Sequence, residues 1–431
     1  MDSLWQKTVQ LPRFEGLKQD RKTDVLIVGG GLAGILCAHM LEQAGVDYML
    51  VEAKRLCSGV TGKTTAKVTA QHGLIYHRLI ELFGAEKAAD YLHANQWAVE
   101  EYQKLARTMD CDFRNQDSCV YSVDSTKKLE EEIAALERLG APARLVYSAP
   151  LPFPVAGAVC LPGQGQLHPL KFVAGIVPGL RIFEQTKVLS LRSGEALTTG
   201  GRIRAKKIII TTHFPMLNKH GAYFLKLHQE RSYVLALKNV PNIDGMYVDE
   251  NEKGLSFRRY GDMLLLGGGG HRTGTQGCGW DELESFARRH WPKAQEVARW
   301  ATQDCMTLDG VPYIGRYSSG TRGLYTATGF NKWGMTSSMV AARVLSDLVQ
   351  GKQNPWEALY SPSRTMMRMQ LVANAVQAVK GLLTPGPRCP HMGCVLKYNP
   401  QEHSWDCPCH GSRFTREGEV IDNPATDDKN M

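Results

Sequence analysis

The run "DVLIVGGGLAGILCAHMLEQAGVDYMLVEA" sets the pattern at the start of the chain. Apolar residues fill Val25 to Val28 and break at three glycines. They then recur at helical spacing through Leu36, Met40 and Leu41, and a second apolar run ends at Glu52. Strand, helix and strand follow from that order. Helical spacing covers 84–109 and 125–139, short strands are expected near 118–122 and 144–147, and "RAKKIIITTH" reads as another buried strand. "RSYVLALKN", "GMYVDE" and "DMLLLGGGG" alternate as strands of an antiparallel sheet with one covered face, in a second, inserted domain. "GLYTATGFNKWGMTSSMVAARVLSDLV" predicts strand, glycine turn and a helix from about 335 to 350. The apolar spacing of 363–383 predicts an amphipathic helix packed on the core, and "TPGPR" at 384–388 marks a boundary.

A chain of 431 residues, 43% of them hydrophobic, divides into two or three domains. The 51 basic and 43 acidic residues form no long blocks, so the net +8 gives no indication of nucleic-acid binding. No signal-peptide core and no integral membrane span is visible, and a cytoplasmic protein is expected. In that reducing compartment clustered cysteines point to metal or redox chemistry before a disulfide framework. Seven of the 11 cysteines stand singly; the other four fall in "CPHMGCVLKYNPQEHSWDCPCHGSRF", with three histidines.

Gly29, Gly31 and Gly34 form G-x-G-x-x-G between strand and helix, with Glu52 at the end of the next strand, the pattern of a dinucleotide site. The first glycine permits a tight turn, the second a close approach of backbone to pyrophosphate, and the third helix–strand packing. "CSGVTGKTTAKVTAQHG" ends like a phosphate loop at Gly62, Lys63 and Thr64. However, Cys57 stands where that loop needs its first glycine, so the segment is expected to lie across the cofactor instead.

Together, VLIVGGGLAG with Glu52, SGVTGKTTAKVT and ATGFNKWGMT resemble the D-amino-acid oxidase superfamily of flavoproteins over about residues 22–380. The resemblance implies an α/β fold: a Rossmann-like FAD-binding domain, discontinuous over about 22–80, 160–215 and 300–352, with an inserted antiparallel-sheet substrate domain, all within 1–385. It implies FAD held at Gly29, Gly31, Leu32, Ala33 and Gly34, its adenosine at Glu52, Ala53, Lys54 and Val188. The flavin ring would lie between Thr64 to Val68, with Thr65, on one side and Gly329 to Thr336, with Trp333, Gly334 and Met335, on the other.

The cysteine-rich stretch resembles a Rieske motif, which implies a [2Fe–2S] cluster on Cys389, His391, Cys407 and His410 in a small β lobe over 386–431. By the same resemblance Cys394 and Cys409 form a loop disulfide. Zinc also takes two Cys and two His, but zinc fingers usually present both cysteines first. The arrangement is similar to bacterial FAD-dependent oxidoreductases with a C-terminal Rieske domain.

The function expected is a dehydrogenase that oxidises a small amine or amino acid and passes electrons singly through the cluster to an unknown acceptor. An oxygen-using oxidase and a redox-sensing electron carrier are the alternatives. Pocket candidates are His72, Tyr76, Arg258, Arg259, Tyr260 and His271 with Arg272, each of which could equally be a surface charge or a satisfied polar group.

Overall fold

The computed structural model describes residues 1–192, 194–217, 220–251, 254–364 and 384–428. Most of the helix expected over 363–383 lies outside them. Among the described residues no helix is long and apolar enough to cross a membrane.

The first sheet grows from the glycine-interrupted strand Arg21–Val28. This strand pairs in parallel with Tyr48–Val51 on one side and Gly201–Ile210 on the other, and the sheet extends through Ile182–Phe183 and Leu324–Thr328. Tyr313–Arg316 closes one edge antiparallel to Leu324–Thr328. Helix Leu32–Gln43 buries all but its outer face against this sheet and packs on helix Gly334–Val349. Helix Gly334–Val349 is buried almost all round, its Thr336, Ser337 and Ser338 included.

The second sheet has nine strands and is antiparallel apart from one pairing, in which Met246–Asp249 runs parallel to Arg114–Ser122. One covered face was expected. In strand Leu227–Lys238, one in from the edge strand Gln295–Thr307, residues alternate only at first, and from Tyr233 to Leu237 both faces are buried. Val234 and Ala236 join the main core, whereas Tyr233, Leu235 and Leu237 pack under helix Trp280–His290. Cys119 and Cys160, expected to stand singly, are opposite one another on paired strands and form a disulfide.

Residues 397–422 form a third sheet of four short antiparallel strands. Its core holds Cys389, Cys394, Cys407 and Cys409 with Leu396, Phe414 and Ala425.

Candidate flavin and iron–sulfur sites

Between the two large sheets lies a cavity of 1160 Å³. Its floor is the glycine turn. Gly29 has φ +113°, and a Cβ there would lie 2.7 Å from the Thr211 carbonyl oxygen; at Gly34 one would lie 2.0 Å from that of Gly29. At Gly31 a Cβ would meet only Thr61 Oγ1 at 3.4 Å, so bare backbone is presented to the cavity. Glu52 is fixed at the strand end by the backbone N–H groups of Gly30 (2.7 Å) and Lys54 (2.8 Å), which donate to its carboxylate. Neither N-cap residue, Gly31 for helix Leu32–Gln43 and Trp333 for helix Gly334–Val349, caps its helix with a side chain; Thr61 Oγ1 accepts from the Leu32 N–H at 3.0 Å, and the first residues of both helices line the cavity. Two such helix ends suit an anionic, polar cofactor, and the donor set and shape fit FAD.

Of the residues expected around FAD, Gly29, Gly31, Leu32, Ala33, Glu52, Ala53, Lys54, Thr64, Thr65, Val188, Gly329, Trp333, Gly334 and Met335 line the cavity. Gly34 and Thr336 stand behind it. Thr336 Oγ1 donates to the Thr69 carbonyl at 3.1 Å. The 57–67 segment is a wall, pinned from outside by Trp5 and Trp300, whose indole N–H groups donate to the carbonyls of Thr64 (2.6 Å) and Lys63 (2.8 Å).

The pocket candidates fare differently. His72 borders the cavity but both nitrogens are committed, Nδ1 to Tyr91 Oη (2.6 Å) and Nε2 to the Thr69 carbonyl and Thr336 Oγ1 (both 2.9 Å). Burial lowers it to about 3, so it stays neutral and stacks under Trp333. Tyr76 is in the core, donating to the Ala70 carbonyl at 2.5 Å. Arg258 is fully buried behind the wall, bonded to Gln166 Oε1 (2.9 Å) and the carbonyls of Leu167 (2.7 Å) and Thr65. Arg259 turns outward to the Pro241 carbonyl, and Tyr260 donates to Asp112 at 2.6 Å. His271 meets Tyr233 Oη at 3.0 Å beside the C-terminal lobe. None of Tyr76, Arg258, Arg259, Tyr260 and His271 lines the cavity.

Two residues that do line it were not among the named pocket candidates, although Lys67 falls in the Thr64–Val68 segment expected beside the ring. Lys67, in "TTAKVT", has Nζ 3.4 Å from Thr65 Oγ1 and from Ser256 Oγ; burial, with Arg258 adding repulsion, lowers it to about 7. His213 follows the strand Gly201–Ile210 and has φ +66°. A lysine so far from any carboxylate leaves no signal in sequence, because only tertiary burial sets it apart.

In the C-terminal lobe the two ligand segments share one backbone geometry. Gly393 N–H donates to the Cys389 carbonyl and Cys389 N–H to that of Cys394; Gly411 N–H donates to Cys407 and Cys407 N–H to Ser412, all at 2.8–2.9 Å. Gly393 and Gly411 take positive φ at the same place in each loop, where a side chain would be strained. The loops set the imidazoles of His391 and His410 5.0 Å apart, ring centre to ring centre. The sulfurs of Cys394, Cys407 and Cys409 lie within 4.8 Å of one another. Cys394 and Cys409, paired by the resemblance, are separate thiols here. Among the described residues His410 Nδ1 is buried without a hydrogen-bond partner, as a metal-directed nitrogen would be. Burial lowers both imidazoles, His391 to about 3 and His410 to about 4, leaving the neutral form that ligation needs. These groups fit a Rieske cluster.

The imidazole edge faces the flavin domain. His391 lies against Phe214 and His410 against Phe224. Arg272, once a pocket candidate, instead donates to the carbonyls of Pro408 (3.1 Å) and Cys409 (3.2 Å) in the cluster loop. Gln229 donates to the His410 carbonyl at 2.8 Å, and its Oε1 stands 3.1 Å from Nε2 of the cavity-lining His213.

Known proteins carry the same combination. The sequence model of the FAD dependent oxidoreductase family matches residues 24–348, and that of the Rieske [2Fe-2S] domain matches 364–430. The putative Rieske 2Fe-2S iron-sulfur protein YhfW of Bacillus subtilis is 34% identical over an alignment of 488 residues, covering 98% of this chain and 96% of its own. Gamma-glutamylputrescine oxidoreductase of Escherichia coli is 24% identical over 80% of this chain and 88% of its own. The fold is that of glycine oxidase from Geobacillus kaustophilus (TM-score 0.68, 21% identity, 80% of this chain and 100% of that one). L-proline dehydrogenase from P. horikoshii shares it too (TM-score 0.67, 18% identity, 80% and 98%). The chain therefore belongs to the FAD dependent oxidoreductase family and carries a C-terminal Rieske domain, binding FAD and a [2Fe–2S] cluster.

Proposed function

We propose that the protein is a cytoplasmic dehydrogenase that oxidises the C–N bond of a small amino acid and delivers the electrons singly, through the cluster, to a separate acceptor. Bound FAD supplies a two-electron acceptor and the cluster a one-electron outlet. The observation that carries the reading is the bridge of His213 and Gln229 from the cavity wall to the carbonyl of His410. It gives electrons a hydrogen-bonded route out of the cavity on the side where the imidazoles face. The relatives named for amines and amino acids favour a C–N substrate.

An amino acid is favoured over a simple amine by the wall around Lys67. Its ammonium faces the cavity, and Arg258 behind it has neutral acceptors for its hydrogen bonds, so the wall is positive and suits a carboxylate. The charge on Lys67 is present below about pH 7 and lost above it. KM for an anionic substrate is therefore expected to rise as pH climbs through that value while kcat changes little. Lys67→Met should remove the pH dependence and cost about 1.5–3 kcal/mol of binding, roughly a ten- to hundredfold rise in KM. A flat KM profile in the parent protein would overturn the role of Lys67.

Anaerobic mixing with amines, amino acids and hydroxy acids tests the reaction itself. The expected result is flavin bleaching by an amino acid, followed by the spectrum of a reduced cluster. Stoichiometric peroxide in air with the cluster left oxidised would favour an oxidase.

A further inference from the structure

The lobe does more than sit beside the flavin domain. From its last strand, Val420–Asp422, the lobe's chain runs on along the cavity, where Val420 to Thr426 and Asp428 line the same space as Glu52, Lys54 and Val188. Both sides of this segment are tied to the flavin domain. Lys54 Nζ donates to the Val420 carbonyl at 3.2 Å, and Lys187 Nζ donates to that of Thr426. Across from them, Asn423 Nδ2 donates to the carbonyls of Phe214 (3.0 Å) and Thr212, and its own carbonyl accepts from Gln229 at 2.8 Å.

The segment is also tied to the cluster loop. Ala425 N–H donates to Ser412 Oγ at 3.0 Å, the Ser412 carbonyl accepts from the Cys407 N–H at 2.8 Å, and Ala425 packs in the small core with the four cysteines. An ordered chain thus runs from the backbone of Cys407 to the wall of the flavin cavity.

We infer that residues 420–428 are a wall of the FAD site contributed by the iron–sulfur lobe, closing the cavity at the Glu52 and Lys54 end, so that FAD retention and cluster retention are coupled. This rests on the flavin reading of the cavity. When the cluster is lost, the loop that holds Ser412 loses its anchor, the segment is released, and that end of the cavity opens to solvent. Coupling of this kind is reciprocal, so bound FAD stabilises the lobe in return.

The test uses the full-length protein, with FAD itself as the probe, in cluster-loaded and iron-depleted forms. FAD release is followed by the recovery of flavin fluorescence on dilution. Depletion is expected to weaken FAD binding roughly tenfold or more. Lys187→Met and Asn423→Ala, with the cluster verified by its visible circular dichroism, should shift FAD release in the same direction. Equal FAD affinity in loaded protein, depleted protein and both variants would overturn the coupling. A cluster-loaded protein that binds no FAD at all would overturn the flavin reading with it.

Discussion

Arg413→Leu is expected to strip the C-terminal lobe of its cluster. The guanidinium is buried and reaches Asp406 (3.0 Å), Asp422 (2.9 Å), Glu402 (2.8 Å) and Ser404 Oγ (2.9 Å). Glu402 is shared with Arg231 of the flavin domain, so the network spans the interface. Removing one partner of a buried pair costs about 3–5 kcal/mol. A core of this size rarely supplies more than about 3–5 kcal/mol, so the two cancel and the lobe unfolds. Burial would raise the carboxyl of Asp422, yet Arg413, Arg231 and Lys63 hold it at about 2. Its contribution is thus complete above the unfolded value of about 3.9 and lost as pH falls toward 2. Without Arg413 these carboxylates take up protons more readily, so the variant should be less destabilised at pH 5 than at pH 8. Iron content and the visible spectrum check the result, and Arg413→Lys should fall between. Full iron occupancy in Arg413→Leu would show that the network contributes little.

Gly31→Val is expected to abolish flavin occupancy while the fold survives. A Cβ at Gly31 has room in the protein itself, and the rest of the valine projects into the cavity where backbone is otherwise exposed. Blocking that approach should cost about 3 kcal/mol, roughly a hundredfold in affinity. Gly34→Val differs in kind: its Cβ would overlap the Gly29 carbonyl, so helix and strand must part and the protein should fail to fold. Flavin absorbance with a thermal melt separates the two. Normal FAD content in Gly31→Val would remove the cradle assignment.

The contrast shows what the sequence makes legible. Gly29, Gly31 and Gly34 act through backbone geometry encoded locally, and the spacing of Cys389, His391, Cys407 and His410 fixes two loops that need only their own residues. Side-chain pockets have no such local code. Ser256, Arg258 and Tyr260 share one face of a strand, yet only Ser256 reaches the cavity, because the nine-stranded sheet continues past its edge. Arg272 and His271 look like ligand groups after a run of glycines, but the lobe, far away in sequence, covers them. Cys119 and Cys160 are 41 residues apart and meet only through strand register.

Much of the docking of the lobe runs through its backbone. Lys54, Lys187, Gln229, Arg272 and Gln303 of the flavin domain all donate to main-chain carbonyls of the lobe. The flavin domain thus grips the path of the lobe's backbone at these points, whichever side chains that backbone carries. Mutational tolerance should be asymmetric: at Val420 and Thr426 docking depends on carbonyl position, whereas replacing any of the five donors deletes a bond outright. A lobe of foreign sequence with the same backbone course would find these five contacts already made and would need to replace the side-chain ties of Gln401, Glu402 and Asn423.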